Sequence, residues 1–201
     1  MYKNNGRLYD YLVPRQTLLV ATWTECAVNL IGPLKITIHG REVDFKALTT
    51  LDSVTNLLEI IQTNDKSSAH VAHQFSSCWL SRYPWSTQVI HDKGGEFIGW
   101  EFQNLLRQLS IQSVPTTTVL KNPQSNAIIE RLHQTMRDIL RVMLHNNPPY
   151  DENDANQIVD NVLATCVHSS RCAVNYIMQT SPGALVFQRN MLMNVPLIVN
   201  L

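Results

Sequence analysis

The chain has 201 residues, 44% of them hydrophobic, which is enough for one sizeable core and too apolar for a chain whose main state is disorder. Sixteen Lys and Arg balance sixteen Asp and Glu, so a globally basic, histone-like mode of nucleic-acid binding is excluded, and any such binding must come from local patches. The longest apolar runs, such as Leu18-Leu19-Val20-Ala21, fall far short of the roughly 20 residues that span a bilayer, and no basic-then-apolar leader opens the chain, so a soluble, intracellular protein is expected.

Residues 1–22 read as a linker, polar at Lys3-Asn4-Asn5-Gly6 and broken at Pro14. From Thr24 the pattern becomes β-branched and alternating. Cys26 to Ile31 and Lys35 to Ile38 predict strand, a His39-Gly40 turn follows, and Val43 to Asp52 predicts the returning strand. A third short strand, Leu57 to Thr63, completes a meander. Ser67-Ser68 opens a helix with Val71, Phe75, Cys78, Trp79 and Tyr83 at helical spacing, ending before Pro84. Thr87 to His91 predicts a compact strand, Gly94-Gly95 a turn, Trp100 to Leu109 a helix, and Ile111 to Val114 one more strand. After the polar segment Thr116 to Asn126, the apolar positions Ile129, Leu132, Met136, Ile139, Leu140 and Met143 mark one face of a helix that stops near Asn146-Asn147-Pro148-Pro149. Ala155 to about Tyr176 again reads as helix. This order predicts a mixed α/β fold in which an antiparallel meander is extended by parallel crossovers.

The four cysteines are scattered, with no C-x-x-C pair and no zinc-finger spacing, and read as buried free thiols. There is no phosphate-binding G-x-x-x-x-G-K-[ST] loop and no G-x-S-x-G nucleophile elbow. Trp23, Trp79, Trp85 and Trp100 read as packing residues in preference to base-stacking platforms.

Two carboxylates stand out by context. Asp92 follows an apolar strand and precedes Lys93-Gly94-Gly95-Glu96-Phe97, which puts it at the carboxyl end of a strand, where α/β sheets build their sites. Glu130 falls in the first turn of the long helix, at the head of a polar stripe that continues through Gln134, Arg137 and Arg141. The plainer alternative is that Asp92 opens a turn and Glu130 complements a helix N-terminus.

Five segments in order resemble the catalytic core of retroviral and retrotransposon integrases, the DDE family with an RNase H-like fold. They are Trp23 with Asn29-Leu30-Ile31-Gly32-Pro33, Leu51-Asp52-Ser53-Val54-Thr55 through Glu59, His91-Asp92-Lys93-Gly94-Gly95-Glu96-Phe97, Lys121-Asn122-Pro123-Gln124-Ser125-Asn126 through Glu130-Arg131, and Ser181-Pro182-Gly183-Ala184-Leu185 through Arg189. The resemblance implies an α/β, RNase H-like mixed five-stranded sheet flanked by helices, with the core over residues 23–194 and a tail at 195–201. It also implies that Asp92 and Glu130 are the second and third acids of a triad holding Mg2+ or Mn2+. Two hard cations about 3.5–4 Å apart would activate the attacking oxygen and stabilise the leaving one.

The first acid departs from the pattern. The family carries Asp immediately before Leu-Ile-Gly-Pro, where this chain has Asn29. The neutral amide removes a charge from the position that contacts both metals, so activity and metal binding are expected to be impaired. A tight turn at His39-Gly40 would put Thr50 opposite Asn29 and Asp52 two residues along on the same face, a conceivable rescue. One slip of register would turn Asp52 away, and the structural role is the expectation for it.

By the same resemblance, DNA contact falls on Lys121, Asn122, Gln124, Ser125 and Asn126 as a polar loop, continued on the helix by His133, Gln134, Arg137 and Arg141. A solvated helix face is the plainer account of that stripe, most of all for Arg141. The implied partners are DNA and further copies of the chain, with no membrane and no small-molecule substrate, and in a eukaryote a nuclear location. The zinc and small β-domains of full integrases are not expected in this chain, which suggests weak or conditional DNA binding. The function expected is that of a retrotransposon-derived integrase core with impaired catalysis, and the alternative is a noncatalytic DNA-binding or dimerising module.

Overall fold

Two long strands meet at His39-Gly40, whose φ angles of 47° and 81° supply the left-handed pair that a two-residue hairpin requires. The computed structural model of the chain describes residues 21–116, 123–175, 178–189 and 191, with the side chains of 123–130 and 132 outside that description. The expected linker at 1–22, apart from its last two residues, and the tail at 195–201 lie outside the described residues.

The strands are β1 (Glu25–Ile38), β2 (Arg41–Asp52), β3 (Leu58–Thr63), β4 (Gln88–His91) and β5 (Gln112–Pro115). They form one sheet of order β3-β2-β1-β4-β5, antiparallel through the meander and parallel from β1 to β4 and β4 to β5. This is the mixed five-stranded sheet expected.

β1 is one continuous strand interrupted by a bulge between Ile31 and Leu34. Pro33 has no N–H to give the ladder, and Gly32 has φ +121° with no room for a side chain, since a Cβ there would lie 2.7 Å from the Phe45 carbonyl oxygen. The extra residue changes which side chains face which layer. Near the turn Leu34 faces Phe45, as the hairpin alone dictates, but beyond the bulge Ile31 faces Ala47 and not Leu48. In consequence Ile31, Leu34, Ile36 and Ile38 all enter the same core, which a strict alternation would not allow.

That core is shared with α4 (Pro123–Asn146) and α5 (Glu152–Cys172), through Met136, Leu140, Val159 and Leu163. The opposite face of the sheet, with Cys26, Val28 and Leu48, packs on Val71, Phe75, Trp79, Phe97, Phe102 and Leu106. Those residues come from α1 (Ser68–Phe75), the π-helical turn Ser76–Leu80 that continues it, α2 (Gly95–Ile98) and α3 (Trp100–Gln108). A short α6 (Pro182–Phe187) follows α5, with Ser181 accepting from the Ala184 N–H at its start. Ser67 and Asp151 cap α1 and α5 in the same way.

Several expectations are corrected. The single helix predicted from Ser67 to Tyr83 is an α-helix that widens into a π turn, and Gly95 opens the one-turn α2 where a turn alone was expected. The tryptophans divide: Trp79 is buried and Trp23 stacks on Tyr83 with centroids 5.7 Å apart, but Trp85 and Trp100 are 57% and 69% exposed. Gly99 lies so close to Ser68 that a Cβ would come within 2.3 Å of the Ser68 Cβ, so the chain turns inward there and both its neighbours, Ile98 and Trp100, are exposed. Cys26, Cys78 and Cys166 are buried free thiols as expected, whereas Cys172 is partly exposed. Among the described residues no helix is long and apolar enough to cross a membrane.

Candidate active site

The β1–β4 ladder ends at the pair Ala27 and Ile90. Asn29 and Asp92 each lie two residues further on, so the parallel register brings them to one level, Asn29 within β1 and Asp92 just past the carboxyl end of β4. Asn29 faces Thr49 and Ile60 across the meander, on the side of the sheet where Ile31 and Ala47 meet α4. It is half-buried, and its carbonyl accepts a 3.0 Å hydrogen bond from the Thr49 hydroxyl.

Asp92 is exposed, and its Oδ1 accepts the Gly94 N–H at 2.8 Å, so the turn-opening role read from the sequence is realised at the same position as the site-like one. Gly94 lies in a crowded corner. A Cβ on it would sit 2.9 Å from Asp92 Oδ1 and 2.7 Å from the Glu96 carboxylate. Glu96, in the first turn of α2, therefore brings a second carboxylate beside this loop. It was legible only as a member of the His91-to-Phe97 segment.

His91, also passed over in sequence reading, anchors the loop from below. It is buried; Nδ1 donates to the Asp92 carbonyl at 2.5 Å, which leaves Nε2 to accept from the Ser113 hydroxyl at 2.8 Å. Ser113 in turn accepts from Gln103 Nε2 at 2.9 Å, and that amide also reaches the Phe97 carbonyl at 2.7 Å. Burial pulls the His91 imidazole below its ordinary pKa, partly offset by the hydrogen bond to the Asp92 carbonyl and by the Asp92 charge. From the far side, the Thr116 N–H closes on the His91 carbonyl at 2.8 Å. The exposed carboxylate thus rises from a rigid base.

Glu130, expected as the third acid, lies on α4. That helix begins at Pro123, so Glu130 stands two turns inside it and not in its first turn, and Gln124, Ser125 and Asn126 are helical and not a loop. Pro at the first helical position explains the early start, because its missing N–H has no intrahelical partner to lose. The side chains of Gln124, Asn126 and Glu130, together with Lys121 and Asn122 in full, lie outside the described residues. Further along, His133 is half-buried, and Gln134, Arg137 and Arg141 are exposed. Asp138 binds two of these, accepting from Gln134 Nε2 at 3.1 Å and pairing with Arg141 at 3.3 Å. Arg137 has no ion-pair partner among the described residues.

Asp52 cannot replace the missing charge. The bulge sets it opposite Cys26, on the face away from Asn29. It is fully buried, its Oδ1 accepting from the Trp23 N–H at 3.1 Å and its Oδ2 from both the N–H and the hydroxyl of Thr55 at 2.7 Å. The rescue geometry assumed an unbroken hairpin.

Among the described residues no three His, Cys, Asp or Glu side chains converge in a way that could hold a metal ion. Of the three positions expected to form a triad, those whose side chains are described offer one carboxylate, Asp92, and one neutral carboxamide, Asn29. That set does not fit a pair of hard divalent cations, which need bridging anionic oxygen.

No protein-family model and no curated protein matches the sequence. Solved structures do. The HTLV-2 integrase catalytic core domain in complex with magnesium, in its trimeric form, aligns with TM-score 0.59 and 12% identity over 80% of this chain and 94% of that one. The catalytic core domain of BIV integrase aligns with TM-score 0.57 and 18% identity over 81% and 93%. The simian T-cell lymphotropic virus intasome in complex with PP2A regulatory subunit B56 gamma gives TM-score 0.62 and 15% identity, over 87% of this chain and 57% of that chain. The chain therefore has the integrase catalytic core fold, of RNase H-like class.

Proposed function

We propose that residues 23–194 are an integrase-derived core from a mobile element that binds DNA and whose strand-transfer chemistry is impaired by the carboxamide of Asn29. The observation that carries this reading is the level shared by Asn29 and Asp92 on adjacent parallel strands, with α4 and its Glu130 crossing the same face of the sheet. In a competent site three carboxylates would surround the metals, whose chemistry is to activate the attacking oxygen and stabilise the leaving one. Here Asp92 and Glu130 would hold a cation weakly, and Asn29 would contribute only a neutral oxygen. No strand-transfer step is assigned to so incomplete a centre.

DNA would meet α4. Arg137, on the exposed stripe, is a cation that Asp138 leaves free, while Gln124, Asn126, His133 and Gln134 supply neutral hydrogen-bonding groups and Lys121 and Asn122 precede the helix. Because the chain as a whole is uncharged, affinity would come from this patch and from self-association, and in a eukaryotic host such a partner places the protein in the nucleus. Asn29 also favours a second reading, a DNA-bridging or dimerising module that uses no metal.

The test is metal-dependent joining on a branched DNA substrate, with this protein and Asn29→Asp side by side. Activity in the substituted protein alone is the expected result. Activity in both would show that the amide is tolerated, and silence in both, with the proteins folded, would favour the noncatalytic module.

A further inference from the structure

A cleft of about 350 Å³ opens between α4 and α5, over the ends of β2 and β3 away from the hairpin. Its floor is Leu51, Leu58 and Cys166, all buried, and its rim carries Arg131, Ser169 and Ser170. A buried apolar floor with a few polar groups converging at the mouth is the usual make-up of a small-molecule site, and the volume is at the lower end of the range for such sites. Among the described residues Arg131 is the sole charged one lining the cleft, and it forms no ion pair with any of them. With one thiol and no carboxylate the described lining does not suit a metal ion, and one cation without a phosphate loop is a poor nucleotide site.

We infer that this cleft binds a small amphiphilic anion of the alkyl or aryl carboxylate class, its apolar body on Leu51 and Leu58 and its carboxylate on Arg131, with the Ser169 and Ser170 hydroxyls as further donors. Cys166 adds a polarisable sulfur to the floor. Its pKa is raised by burial, so it contributes as a neutral thiol and does not compete for Arg131.

The experiment titrates octanoate and octanol into the full chain and follows binding by protein NMR shifts and by calorimetry. Octanoate is expected to bind saturably, and Arg131→Gln to weaken it about fivefold, the scale of one exposed ion pair, without altering octanol. Ser170→Trp, which fills the mouth from the rim, is expected to abolish octanoate binding; Ser169→Trp is the second filling variant should the first fail to fold. The inference is overturned if octanoate does not bind, if Arg131→Gln leaves its affinity unchanged, or if a folded filling variant binds it as the parent does.

Discussion

Thr49 faces Asn29 across the β1–β2 ladder and donates its hydroxyl to the Asn29 carbonyl at 3.0 Å. The pairing fixes more than a local contact. With Thr49 opposite Asn29, the next residues of β2 are assigned in turn, so Leu51 shares the Asn29 face and Asp52 does not. A single residue of register separates a site with an auxiliary carboxylate from one without it.

Asp52→Asn should therefore behave as a stability variant. The change keeps the shape but removes the charge that three donors converge on, at an expected cost of about 2–3 kcal/mol. Urea unfolding would measure the loss. Manganese binding, titrated on folded protein in the Asn29→Asp background, should be unchanged by it.

Glu59 is the second buried acid, and its Oε1 receives both the Tyr83 hydroxyl and Arg171 Nη2 at 2.5 Å, tying β3 to α5. Burial first, and then the bond to Glu59 and its charge, raise the Tyr83 phenol from 10.0 to about 12. The folded state thus prefers the neutral phenol. Its stabilising share is complete below pH 10 and is lost as pH rises towards 12. Absorbance titration should show a tyrosine ionising at about pH 12, and Tyr83→Phe should remove that step. Arg171→Met, which leaves the buried carboxylate only the Tyr83 hydroxyl and the more distant Arg82 at 3.9 Å, should cost about 1–3 kcal/mol.

Gly99 has φ −61°, a conformation any residue adopts, yet the space beside it is taken by Ser68, whose hydroxyl also accepts the Phe102 N–H at 3.0 Å. Gly99→Ala is expected to destabilise by about 1–3 kcal/mol through overpacking alone. Ser68→Gly in the same chain should recover part of that loss, net of the hydrogen bond it forfeits. Thermal melting of the single and double variants would show the coupling.

Arg137→Gln should lower DNA affinity without sequence preference and reduce the slope of log affinity against log salt by about one. Arg141→Gln should do less, since Asp138 already neutralises that side chain. Fluorescence anisotropy on a short duplex at several salt concentrations would measure both slopes. Equal effects would detach the DNA surface from Arg137.

Much of this architecture was legible because period and punctuation agreed: the β-branched alternation around His39-Gly40 gave the meander, and the 3.6-residue spacing from Ile129 to Met143 gave the long helix. What escaped was set by backbone detail. The Gly32-Pro33 step inside an apolar strand was a bulge signal, since proline cannot serve a central ladder, and reading it as such would have corrected the Asn29 register. Pro123 likewise marked the true start of α4. His91 escaped because a lone histidine on an apolar strand carries no pattern; its role depends on Ser113 and Gln103, distant in sequence and brought together only by the β4–β5 pairing and α3.

The bulge at Gly32-Pro33 divides β1 into two frames, each with its own inside and outside. A residue added or removed at the hairpin tip would demand a shift of the whole ladder in an uninterrupted strand. Here the irregular step can take up the slack, leaving Asn29 and its neighbours aligned with β4. The tip and the level shared by Asn29 and Asp92 thus lie on opposite sides of the bulge, in different frames of the strand.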